Sequence, residues 1–172
     1  AQMLDDALSD FGRALELDEH HIKARLNRGL AYVANLQLQE ALKDFDHVLG
    51  QDPDHFRARL NRSNVRIMLG DLDGALEDAQ TAMTKVPEDP APWVQRAMLR
   101  RQMGDAAGSI DDYTHAIELH EEEGAAWAGR GFMLLELGNA AAAARDFARS
   151  IQLQPQRSIL HYNLGTALAE LE

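Results

Sequence analysis

RLNRG at residues 25–29 and RLNRS at residues 59–63 are one phrase written twice, thirty-four positions apart. Extending the register outward from Ile22, the same steps recur along the whole chain. The twentieth position of successive units holds Ala7, Ala41, Ala75, Ser109 and Ala143, and the twenty-fourth holds Phe11, Phe45, Ala79, Tyr113 and Phe147. The thirty-second holds Glu19, Pro53, Pro87, Glu121 and Pro155. Five copies in step without an insertion define a repeat protein, each unit being one supersecondary element that buries its apolar face against the next.

Each unit reads as two helices. Apolar side chains fall at helical spacing over 22–35, and again over 39–49 with Ala41, Leu42, Phe45, Val48 and Leu49. LGD at 69–71, MGD at 103–105 and LGN at 137–139 put a glycine at the end of one helix and a capping Asp71, Asp105 or Asn139 at the start of the next. Prolines in DPD at 52–54, VPEDP at 86–90 and QPQRS at 154–158 stop the second helix. Small residues at Gly29, Ser63, Ala97, Gly131 and Gly165 let paired helices approach closely. AAAAAR at 140–145 lies in register with a second helix and reads as packing rather than linker.

The pattern resembles the tetratricopeptide repeat family over about residues 3–171. Gly29, Ala41, Phe45, Val48 and Pro53 match its small–small–aromatic–small–proline signature, and Trp93 and Trp127 stand where tryptophan is frequent. Arg25, Arg59 and His161 depart from it at that position. The resemblance implies an all-α, right-handed superhelical solenoid of antiparallel helix pairs, with the first helices lining a concave groove. The expected organisation is a single domain over 1–172. It comprises a half repeat at 3–21, full repeats at 22–55, 56–89, 90–123 and 124–157, and a half repeat at 158–172, for ten helices in all.

The seventh position is Arg28, Arg62, Arg96 and Arg130, then Leu164; the twenty-third is Asp10, Asp44, Asp78, Asp112 and Asp146. Both flank the same helix–helix seam, and a guanidinium forks naturally onto a carboxylate. The expectation is a repeated structural ion pair, Arg28–Asp44, Arg62–Asp78, Arg96–Asp112 and Arg130–Asp146. A ladder of arginines facing phosphate is the competing reading, weakened by the matching aspartates.

Composition narrows the function. Twenty-eight acidic residues against seventeen basic give a net charge of −11, which opposes binding of nucleic acid. No apolar run approaches membrane-spanning length, and the opening AQMLDDALSD has neither the basic region nor the apolar core of a signal peptide. A cytoplasmic location is therefore the default expectation. There is no cysteine, no GxxxxGK[ST] and no GxGxxG motif. In HAIELHEEE at 115–123, His115, Glu118 and His120 suggest metal, but nothing supplies further ligands, and HH at 20–21 reads as a loop. No nucleophile–base pair is evident. No enzyme activity, cofactor or metal is expected.

Function is expected in the groove. The resemblance places Lys23, Leu26, Asn27, Leu30, Arg57, Leu60, Asn61 and Asn64 on it, followed by Val94, Gln95, Met98, Arg101, Phe132, Tyr162 and Asn163. Asn27, Asn61, Gln95 and Asn163 form a carboxamide row broken at Gly129. Carboxamides both donate and accept, so they can bond a peptide backbone without reading its side chains. The apolar floor suits an apolar side chain or an amphipathic helix. The family's clamp for the carboxylate terminus of chaperones is not expected, because Leu26, Leu60 and Val94 stand where lysine would be required. Lys23 and Arg57 near one end, with Glu136 and Glu170 near the other, suit a dipolar ligand.

The expected function is a non-catalytic interaction module or scaffold binding an extended or helical peptide segment of a protein partner. The alternative is a structural protein stacking head-to-tail. In that reading helix 158–171 of one copy completes a unit with helix 3–17 of another, bringing Gly165 to Ala7, and Leu164 and Leu168 near Phe11. That joint would lack the ion pair, since Leu164 cannot bond Asp10.

Overall fold

The structure, a computed structural model, describes residues 2–171. Among them are ten helices and no strand: α1 (Gln2–Leu17), α2 (Ile22–Ala34), α3 (Leu38–Gln51), α4 (Phe56–Leu69), α5 (Leu72–Lys85), α6 (Pro90–Gln102), α7 (Ala106–Leu119), α8 (Gly124–Glu136), α9 (Ala140–Leu153) and α10 (Ser158–Ala169). Two compact units divide them, α1–α5 up to Lys85 and α6–α10 from Val86. Within each unit every helix packs on the next in sequence. First helices also touch one another, α2 with α4 in the first unit, α6 with α8 and α8 with α10 in the second.

Turn chemistry decides where helices stop. Gly70, Gly104 and Gly138 adopt φ of 81°, 82° and 76°, the left-handed region that terminates a helix and is open to glycine without steric cost. In the first repeat Leu36 occupies this position at φ 58°, where a side chain is strained. The next residue then caps the second helix. Asp71 Oδ1 accepts from the Gly74 N–H at 3.0 Å, Asp105 Oδ1 from Gly108 at 2.9 Å, and Asn139 Oδ1 from Ala142 at 3.3 Å. Gln37, at the same point of the first repeat, makes no side-chain cap.

First helices are capped differently in the two units. His21 Nδ1 and His55 Nδ1 accept from the Ala24 and Ala58 N–H groups, each at 3.2 Å. Asp89 and Glu123 carboxylates accept from Ala91 and Ala125 at 2.8 and 3.3 Å. An imidazole can cap only through an unprotonated nitrogen, so Nδ1 of both histidines is the bare one.

The seam between the two helices of a pair is filled by compensating volumes. Fully buried Phe45 packs against Gly29, where an added Cβ would lie 2.6 Å from its ring. Phe147 faces Gly131 in the same way, at 3.1 Å. Where the aromatic is replaced by Ala79 its partner grows to Ser63, whose hydroxyl donates to the Ala75 carbonyl at 2.8 Å. Burying a phenylalanine ring contributes roughly 1.5–3 kcal/mol, so these seams are main supports of each pair.

Candidate functional site

Four arginine–aspartate forks sit on these seams. Arg28 donates to Asp44 through Nε at 2.8 Å and Nη2 at 2.7 Å, and Arg62 to Asp78 at 2.9 and 2.6 Å. Arg96 donates to Asp112 at 2.8 and 2.6 Å, and Arg130 to Asp146 at 2.7 and 3.0 Å. All four carboxylates are buried. The hydrogen bond to Asp44 raises the pKa of the Arg28 guanidinium against its partial burial. For Arg62 burial is the largest influence and lowers the pKa, yet bonds to Asp78 and Asp46 outweigh it. These arginines face carboxylates within the fold, an arrangement that fixes helix pairing.

Further arginines, whose destination was not read from the sequence, crowd the same carboxylates. Arg25 and Arg59 lie 3.4 and 3.5 Å from Asp44 and Asp78, while Arg66 and Arg100 reach Asp78 and Asp112 at 2.9 and 3.1 Å. Arg25 and Arg59 occupy the position of Trp93 and Trp127. Arg25 and Arg59 donate to the carbonyls of Glu19 and Pro53, six residues earlier, just as Trp127 Nε1 donates to Glu121 at 2.9 Å. Both tryptophans instead lie beneath the forked arginine, with Arg96 5.1 Å from the Trp93 ring centre and Arg130 4.9 Å from that of Trp127. Two chemistries thus occupy one register position.

The first-helix surface of the α1–α5 unit presents Lys23, Asn27, Leu30, Arg57 and Asn64 to solvent, with Asn61 half-buried between them. Leu30 and Met68 are large apolar side chains left 42% and 49% exposed on this surface.

The corresponding surface of the α6–α10 unit is hollowed. A cavity of about 330 Å³ opens between α6, α8 and α10, floored by Val94, Met98, Phe132 and Leu160 and bordered by Arg101 and Arg157. Tyr113 reaches it from α7 beneath. Its ring occupies the space into which a Cβ on Gly129 would project. The break in the carboxamide row is therefore the seat of a tyrosine, and only glycine fits there. Burial pushes the Tyr113 phenol up to about 12, an effect Arg101 partly offsets, so the hydroxyl keeps its proton. Arg101 lies 4.0 Å over the Phe132 ring and 3.5 Å from Glu136. Arg157 donates to Gln154 at 2.9 Å.

Gln95, expected among the groove amides, is only 6% exposed. It is buried, so of the carboxamide row this unit displays half-buried Asn163 alone. Met98 and Tyr162 stand 47% and 71% exposed beside it.

His115 tilts over the Trp93 ring with 3.9 Å between centroids, and lies 3.7 Å from Glu118. Among the described residues no three His, Asp or Glu side chains gather as a metal-ligand set, and no helix is long and apolar enough to cross a membrane.

The sequence matches the family model described as tetratricopeptide repeat over residues 26–90 and 94–158, more than half of the chain. No curated protein matches it. Among solved structures it is similar to TTC0263, a thermophilic TPR protein of Thermus thermophilus, with 18% identity and a TM-score of 0.84 over 96% of this chain and 91% of that one. It is also similar to MamA 41-end from Desulfovibrio magneticus RS-1, with 20% identity and a TM-score of 0.74 over 90% and 88% of the two chains. A third is YrrB, a TPR protein with an unusual peptide-binding site, with 20% identity and a TM-score of 0.67 over 92% and 82%. At these identities the likeness is one of fold.

Proposed function

The chain belongs to the tetratricopeptide repeat family, and from that premise we propose that it is a non-catalytic scaffold whose first-helix surfaces hold an extended or helical peptide segment of a protein partner. The observation that carries this reading is the placement of exposed apolar side chains. Leu30, Met68, Met98 and Tyr162 stand out of the packed seams on first helices, beside amides and guanidiniums. Such a mixture suits a ligand that offers both an apolar side chain and a hydrogen-bonding backbone.

The test is selection of peptides on the immobilised chain, followed by binding to surface variants. Asn27→Ala with Asn61→Ala disarms the first unit's surface, and Met98→Ala with Tyr162→Ala the second's. His47→Ala, on the outer side of α3, serves as control. Selected peptides should lose affinity for at least one of the two surface variants and keep it for the control. Failure to select any peptide, or binding indifferent to both surface pairs, overturns the reading.

A second reading, head-to-tail self-association, is favoured by one observation. Gly29 and Gly131 each abut a phenylalanine ring, whereas the equivalent Gly165 on α10 faces open space. Phe11 on α1 is the ring in the matching register. Light scattering over a wide concentration range, with Gly165→Leu as the blocked form, separates association at this joint from a strict monomer.

A further inference from the structure

Resting on the reading that first-helix surfaces bind peptides, we propose that the cavity between α6, α8 and α10 selects a segment carrying a side-chain carboxylate beside a bulky apolar residue. Charge is the first argument. The chain as a whole carries −11, yet the charged side chains that line this cavity are two guanidiniums, Arg101 and Arg157, with no carboxylate between them. The nearest acid to Arg101 is Glu136 at 3.5 Å, in a pair about half exposed on both sides, so water competes with it and a ligand carboxylate can displace it. Among the described residues Arg157 donates to the neutral amide oxygen of Gln154, a contact that leaves its charge uncompensated.

Shape is the second argument. Val94, Met98, Phe132 and Leu160 make an apolar floor of a size that takes one large side chain. The central guanidinium carbon of Arg101 lies over the Phe132 ring, 4.0 Å from its centre. That contact restrains the guanidinium at the edge of the cavity and lowers the ordering cost of bonding a carboxylate there. Tyr113, neutral through burial, adds no negative charge to the floor. An apolar side chain seated on Met98 and Phe132 would place an adjoining Asp or Glu against Arg101. A basic ligand would meet two cations in the same place. The net charge of −11 works against an acidic ligand overall, so affinity for one here rests on the local charge of this cavity.

The probe is a phage library of random twelve-residue peptides, displayed so that they carry no free carboxyl terminus. It is selected in parallel on the unaltered chain and on Arg101→Glu. Arg145→Glu, an exposed change on α9, controls for net charge. Peptides enriched on the unaltered chain should pair Asp or Glu with Phe, Leu or Trp, and should bind Arg101→Glu about tenfold more weakly or worse. The set enriched on Arg101→Glu should shift towards Lys and Arg, and Arg145→Glu should behave as the unaltered chain. Enriched peptides without an acidic excess, or acidic peptides indifferent to Arg101→Glu, overturn this inference and leave the peptide-binding reading intact. Binding that appears only with synthetic peptides bearing a free carboxyl terminus also overturns it, by assigning the carboxylate to the chain end. No enrichment on any form removes both.

Discussion

Arg62 and Asp78 are joined by a two-pronged fork, Nε to Oδ2 at 2.9 Å and Nη2 to Oδ1 at 2.6 Å, across the seam of α4 and α5. Arg66 bonds the same carboxylate at 2.9 Å, and Arg59 lies 3.5 Å away. Asp78→Ala leaves three guanidiniums around a buried hole. Removing one partner of a buried pair costs about 3–5 kcal/mol, so a loss of that order is expected in denaturant unfolding of the α1–α5 unit. Asp146, bonded by the Arg130 fork, should lose less on the same substitution. Peptide binding by folded Asp78→Ala should be unchanged. Equal losses at both positions would refute the idea that the crowd of arginines depends on Asp78.

Much of this architecture was legible because it depends on single positions repeated in phase. Thirty-four-residue recurrence of Gly, Asp and Pro marks helix ends through backbone chemistry that no tertiary contact overrides, and Gly70, Gly104 and Gly138 fold accordingly. The Arg–Asp forks lie in one register for the same reason. What escaped the sequence were relations between neighbouring registers. Tyr113 of α7 reaches beyond its own pair to Gly129 of α8 in the next repeat, and nothing in the spacing of either residue says so. Gln95 shares its phase with exposed Asn27, yet it is buried, and phase alone does not distinguish the two. His21 and His55 were legible in principle. They share a register with Asp89 and Glu123, a capping position, but histidine is not a usual cap and reads as loop.

The glycines on the first helices divide into those that are required and those that are not. An alanine Cβ at Gly29 would sit 2.6 Å from the Phe45 ring, so Gly29→Ala should destabilise the first unit by about 1–3 kcal/mol through overpacking. Gly165 meets nothing within 4 Å, and Gly165→Ala should stabilise α10 by about 0.5–1 kcal/mol through helix propensity. Opposite signs in thermal unfolding are the expected result; a loss at both positions would contradict the open space at Gly165.

Leu36 carries the strain that glycine relieves in the other repeats. Its φ of 58° costs a non-glycine residue about 1–2 kcal/mol, partly offset in a substitution by the greater freedom of unfolded glycine. Leu36→Gly should therefore raise the stability of the α1–α5 unit by about 1 kcal/mol. Adding Gln37→Asp, which supplies the cap that Asp71 and Asp105 provide elsewhere, should add about 1 kcal/mol more. Differential scanning calorimetry of the single and double variants checks both steps. No gain from the glycine would mean that Leu36 contributes contacts worth as much as its strain.

Tyr113 makes the protein sensitive to alkali in one definable window. Its phenol rises from 10.0 to about 12, burial being the main cause and Arg101 working against it. Between those values the unfolded chain loses this proton and the folded chain keeps it, so unfolding releases a proton and stability falls as pH rises. Below pH 10.0 both states hold the proton and Tyr113 contributes no slope. Arg28 and Arg62, held above the ordinary guanidinium range by their carboxylate partners, stay charged throughout and add none either. Tyr113→Phe keeps the ring over Gly129 and removes the ionisable group. Thermal midpoints measured at intervals between about pH 9 and 11.5 should fall more steeply for the unaltered chain than for this variant, with the two curves parting only above about pH 10. Parallel curves across the whole range would show that the buried hydroxyl does not hold its proton against the solvent, and that the floor of the cavity is wetter than its packing against Gly129 implies.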